Sequence, residues 1–95
     1  MALSGKQRRH LRALGHHLQP VVQVGQEGVT PGLVAAAEQA LFDHELIKVR
    51  FADGPEDRHQ ASRHLAEETQ AEIAQVLGKT LLLYKVHPEK PKIKF

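Results

Sequence analysis

The chain has 95 residues, with 13 Lys and Arg, 11 Asp and Glu, 7 His and no Cys. That length suits one domain with a thin core, and the lack of cysteine excludes a disulfide framework and a thiolate metal site. No apolar run approaches the roughly 20 residues that span a bilayer, and Met1 to Leu14 lacks the apolar stretch of a secretory signal, so a cytoplasmic protein is expected.

Ser4, with Gln7 three residues on, reads as a capping box that opens a helix. Leu11, Leu14 and Leu18 recur at spacings of three and four and mark its buried face. Lys6, Arg8, Arg9 and Arg12 are expected on the opposite face, with Gly15 as the helix stop. Val21 to Val24 is a short β-branched run and reads as a strand. Gly25-Gln26-Glu27-Gly28 interrupts it. Thr30 then stands where an N-cap belongs, and Pro31 fits the first position of a second helix that runs to about His44. Leu33, Ala37, Ala40 and Leu41 form its apolar stripe.

Leu46 to Phe51 alternates, with Ile47, Val49 and Phe51 on one side and Lys48 and Arg50 on the other. Asp53-Gly54-Pro55 signals a loop. A third helix is expected from about Glu56 to Thr69, with Ala61, Leu65 and Thr69 inward. Glu72 to Leu77 and Thr80 to Val86 read as strands joined by a tight Gly78-Lys79 turn, forming a hairpin. The fold class is therefore α/β: an N-terminal helix, then β-α-β-α-β-β, giving a four-stranded mixed sheet packed with helices. Residues 1–87 read as a single domain and residues 88–95 as a basic, extended and partly mobile tail.

Charge is sorted along the chain. Residues 1–25 carry four cations and no acid, residues 26–45 carry four acids and no Lys or Arg, and residues 73–95 carry five lysines against Glu89. The folded surface is expected to have a basic side and an acidic side, and a basic face on a small domain suits a polyanion.

The Gly25–Gly28 segment is the most pointed chemical feature. Two glycines allow a tight turn and leave backbone N–H groups bare beside a helix N-terminus, where a sugar-phosphate backbone could dock. Gln26 and Glu27 offer that guest no cation, and Glu27 opposes it. Lys6, Arg8, Arg9 and Arg12 could hold phosphates from the first helix, Lys48 and Arg50 from the sheet and Lys79 from the hairpin turn. The histidines lack the i, i+4 pairing of a helical metal site, and no hydrolase, nucleotide-binding or dinucleotide-binding signature is present. No cofactor, metal or small-molecule substrate is expected. Phe51 fits the core; Tyr84 fits either the core or a stacked base.

The stretches Leu3-Ser4-Gly5-Lys6-Gln7, Leu11 to Leu18, Pro20 to Thr30, His44 to Val49 and Gly78 to Tyr84 together resemble the bacterial YhbY proteins. These are stand-alone versions of the CRM domain, named for chloroplast RNA splicing and ribosome maturation. The resemblance implies a fold similar to the C-terminal domain of translation initiation factor three. It also implies RNA binding with the Gly25–Gly28 loop on the RNA-facing surface, association with precursors of the large ribosomal subunit, and no catalysis. The sequence reading is thus a non-catalytic RNA-binding module for ribosomal RNA, with a monomer as the expected state. The rival reading is a module that docks on ribosomal proteins or assembly factors without touching RNA.

Overall fold

The computed structural model describes residues 3–52 and 57–95, so the expected Asp53-Gly54-Pro55 loop lies outside the described residues. Seven elements follow in order: α1 (Gly5–Gly15), β1 (Pro20–Val24), α2 (Pro31–His44), β2 (Leu46–Phe51), α3 (Arg58–Thr69), β3 (Glu72–Leu77) and β4 (Thr80–Tyr84). The four strands form one sheet in the order β1-β2-β4-β3. β1 and β2 pair in parallel, and β4 runs antiparallel to both its neighbours. The hairpin thus folds inward, so β4, not β3, lies beside β2.

The helices begin where local chemistry dictates. The Ser4 hydroxyl accepts from the Gln7 N–H at 3.1 Å, and the Gln7 side chain accepts from the Ser4 N–H at 2.9 Å, completing the capping box. Thr30 caps α2 by accepting from the Leu33 N–H, with Pro31 at the first helical position. Asp57 caps α3 by accepting from the Gln60 N–H. That hydrogen bond is the main cause holding the Asp57 carboxyl below its ordinary value.

The sheet is packed on both faces. Val22, Val24, Ile47, Val49, Phe51, Leu81 and Leu83 meet Ala37 and Leu41 of α2 and Ala61, Leu65 and Ala66 of α3. Leu33 and Ala40 are half-buried at the edge of that core. On the other face, Leu46, Ala74, Leu82 and Tyr84 meet Leu3 and Leu11, with Leu18 and Ile93 alongside. The alternation in β2 shows only one of these faces, because Leu46 adds a contact to the second. Phe51 is core, and Tyr84 is buried too, which removes it as a base-stacking residue.

For α1, the burial of Leu14 needs correction, and the stop expected at Gly15 is met but for a different reason. Leu14 is exposed, because Leu11 and Gly15 carry the buried stripe. Gly15 ends the helix without a left-handed turn: the next residue, His16, is αR. Its requirement is steric, since a Cβ there would lie 2.5 Å from Leu82 Cδ1.

β4 ends at Tyr84, two residues before Val86, because the chain then turns onto Glu45. Glu45 is 0% exposed and has a positive φ of 64° at the end of α2. Its carboxylate accepts the backbone N–H groups of His87 at 2.7 Å, Ile93 at 2.8 Å, and Lys92. Burial alone would push the Glu45 carboxyl up, but these donors, helped by the His87 charge, outweigh it and hold the group below its ordinary value. Residues 88–95 form no helix or strand, yet they are tied to the domain here. Lys85 and Lys92 also cap helix C-termini, donating to the carbonyls of Thr69 and Asp43 at 3.0 and 2.7 Å.

Candidate nucleic-acid interface

α1 covers only part of its sheet face, packing mainly on β3 and β2 through the end that carries Leu46, Ala74 and Tyr84. Strand register places Gln23 beside Arg50, Arg50 beside Thr80, and Thr80 beside Leu77. This row crosses all four strands on the α1 side, at the end of the sheet that α1 leaves open. Gln23, Arg50 and Leu77 are exposed, and Thr80 is half-buried.

Two loops flank the row. The Ala52 N–H donates to the Val24 carbonyl at 2.9 Å, which sets the end of β2 against the start of the Gly25–Gly28 loop. The Phe51 N–H donates to the Lys79 carbonyl at 2.8 Å, which sets the hairpin turn against β2 from the other side. The open end therefore gathers Gly25, Gln26, Glu27, Gly28, Arg50 and Lys79. Lys48 lies one pleat further in, half-buried, and lines a cleft with Leu14, Leu18 and Val21.

The Gly28 N–H donates to the Gly25 carbonyl at 3.0 Å and closes the loop as a turn. Only Gly28 needs to be glycine for backbone reasons, with φ at 73°. A Cβ at Gly25 would meet nothing within 4 Å, so that glycine keeps a surface bare without being required by the fold. The concavity of the loop is lined by Gln23, Gly25, Gln26, Glu27, Gly28, Thr30 and Leu33. The adjoining helix end is less open to an anion than the sequence suggests. Pro31 has no N–H, and the Leu33 N–H is committed to Thr30, so at most Gly32 among the first three helical residues can donate outward. Glu27 does not cap α2, because Thr30 does.

The first-helix cations and the glycine turn do not form one compact surface. Lys6, Arg8 and Arg9 are exposed and Arg12 is half-buried. At about 100° per residue Lys6 and Arg9 stand nearly opposite Leu11, whereas Arg8 and Arg12 stand beside the Leu11–Gly15 stripe, so the expected opposite face holds only the first two. None of the four lines the loop concavity, which follows edge strand β1, while α1 packs toward β3. The helix cations share a side of the sheet with Gln23, Lys48 and Arg50, while the turn sits at the sheet end and leads from β1 to α2 on the opposite face. Lys6, Arg8, Arg9, Lys48 and Arg50 all lie on the α1 side, and Glu38, Asp43, Glu67 and Glu68 lie on α2 and α3 behind it. Arg58 and Arg63 on α3, and Glu72 on β3, break that sorting.

Sequence reasoning missed Glu45, whose hydrogen-bond partners lie 42 to 48 residues away. It also missed the open row itself, because the strand order that brings Thr80 beside Arg50 is not a local property. Among the described residues, no group of three or more His, Asp or Glu is gathered as a metal site would require, and no helix is long and apolar enough to cross a membrane.

A model of the CRS1 / YhbY (CRM) domain matches residues 3–85. A Pseudomonas aeruginosa protein named a probable RNA-binding protein is 39% identical over 93 residues, covering 97% of this chain and 89% of the relative. An RNA-binding protein of Haemophilus influenzae is 42% identical over 88 residues, covering 92% of this chain and 89% of its own length. The solution structure of a Staphylococcus aureus protein, described as a candidate RNA-binding protein, superposes with a TM-score of 0.84. The identity is 32%, over 97% of each chain.

Proposed function

Because the chain belongs to the CRS1 / YhbY (CRM) domain family, we propose that it is a non-catalytic RNA-binding protein that holds ribosomal RNA in precursors of the large ribosomal subunit. The observation that carries the RNA reading is the open row at Gln23, Arg50 and Thr80, flanked by a bare glycine turn and Lys79. Such a surface offers cations and backbone donors to phosphates. Relatives named for RNA binding agree with it. The ribosomal target follows from the resemblance in motifs, and the cytoplasm is where such a partner would be met.

Filter binding of the protein to transcribed large-subunit ribosomal RNA across a salt series tests the reading. With about six cations engaged, log Kd should change with log salt at a slope of roughly 4 to 5. A micromolar or weaker signal that ignores salt would overturn RNA binding and favour docking on ribosomal proteins. Crosslinking in cells, with sequencing of the attached RNA, tests the ribosomal target. Recovery of other RNA classes alone would remove that part and leave RNA binding standing.

A further inference from the structure

The tie at Glu45 has a consequence on the α1 face. Beyond Lys92 the chain runs across that face, where Ile93 packs with Leu3, Leu11 and Tyr84. Phe95 then meets the rings of His10 and Tyr84, each with centroids 5.7 Å away and planes inclined at 66° and 78°. Both contacts are edge-type, and 54% of Phe95 remains exposed. Lys94 beside it is exposed, and Lys6 lies one turn before His10 on the same side of α1. The chain thus carries an open aromatic ring, held by two neighbouring rings and flanked by cations, at a place remote from the glycine turn.

We propose that Phe95, with Lys94 and Lys6, forms a second RNA contact in which an unpaired base stacks on the ring and the neighbouring phosphates meet the lysines. Stacking on an aromatic needs a free ring face and tolerates any base, while nearby cations track the backbone. A ring at the end of a loose tail would lose much of that gain to ordering. Here backbone hydrogen bonds at Lys92 and Ile93 and the Ile93 packing have already set its place. The inference rests on the RNA-binding reading and adds to it a preference for RNA with unpaired segments.

The chain has no tryptophan, so Phe95→Trp creates a single fluorescent reporter at the proposed platform. Two probes are used: an RNA hairpin with a single-stranded extension and a blunt RNA duplex. Binding is followed by anisotropy of labelled RNA and stacking by quenching of the new tryptophan. The hairpin is expected to quench the indole and the duplex to leave it bright. Phe95→Leu should weaken hairpin binding about fivefold or more, within the range of one stacked base, with duplex binding unchanged and Phe95→Trp restoring affinity. Lys94→Glu should lower the salt slope for the hairpin by about one. If the hairpin binds by anisotropy yet leaves the indole unquenched, or if Phe95→Leu binds as the parent does, the platform is overturned and the RNA-binding reading stands. If neither RNA binds, both fall together.

Discussion

Gly25 and Gly28 look equivalent in sequence but face different demands. Gly28 sits at a φ of 73°, where a side chain is strained, so Gly28→Ala should cost about 1 kcal/mol of stability. Gly25 has neither a positive φ nor a close neighbour. Gly25→Ala should therefore leave the urea midpoint in place and weaken RNA binding, because a methyl group would stand where backbone meets phosphate. Equal affinity for Gly25→Ala and the parent would remove the loop from the interface. Glu45 poses the opposite case, a residue whose weight lies in the fold. Glu45→Ala strips the acceptor from three backbone N–H groups, at a cost of about 3 kcal/mol. Its folded carboxyl titrates below the ordinary glutamate value of about 4.3. Its stabilisation is therefore complete above that value and lost as pH falls through the lower, folded one. Glu45→Gln should be less stable than the parent at pH 7, and the gap should narrow on acidification below pH ~4. Urea melts at a series of pH values would show this, and a gap that widens in acid would contradict it.

Element boundaries were most readable where one residue type has one physical use. Thr30 followed by Pro31 fixes the start of α2, and the Lys48–Arg50 alternation fixes the course of β2; both elements span the residues expected of them. Legibility failed where the cause was a distant neighbour. Gly15 reads as a helix stop, but its smallness serves Leu82, which is 67 residues away in β4. Gly15→Ala would bring a methyl group to within 2.5 to 3.3 Å of three Leu82 carbons. Leu82 is itself buried and cannot easily yield, so the clash should outweigh the gain of about 1 kcal/mol in helix propensity. A net loss of about 1 to 2 kcal/mol is expected in thermal or urea unfolding. Gly15→Ala in a Leu82→Ala background should lose nothing further, because the atoms it strikes are gone. A helix-stop role would instead give the same loss in both backgrounds. Docking of α1 is what restricts the open row to one end of the sheet, so the packing of a glycine on a leucine also shapes the candidate interface.

At the scale of the whole molecule, charge sorting along the chain becomes charge sorting across the sheet, because the topology sends α1 to one face and α2 and α3 to the other. Composition alone cannot show this, since the net charge is only +2. Nor can counting cations, because Lys85 and Lys92 are committed to the carbonyls at the ends of α3 and α2. The sidedness is what separates RNA contact from docking on a protein through the acidic helices. Arg8 and Arg9 are exposed on α1, and Glu67 and Glu68 are exposed on α3. Reversing Arg8 and Arg9 to Glu shifts net charge by four units, and reversing Glu67 and Glu68 to Lys shifts it by four in the other direction. If only total charge mattered, the first change would weaken RNA binding and the second would strengthen it by a similar factor. If the α1 side meets the RNA, the first should flatten the salt slope by roughly two, while the second leaves the slope unchanged and moves affinity little, since screening over about 8 to 10 Å separates the two faces. Filter binding at three salt concentrations distinguishes the outcomes. A loss of ribosome association confined to the Glu67 and Glu68 variant would place the working surface on the acidic helices instead.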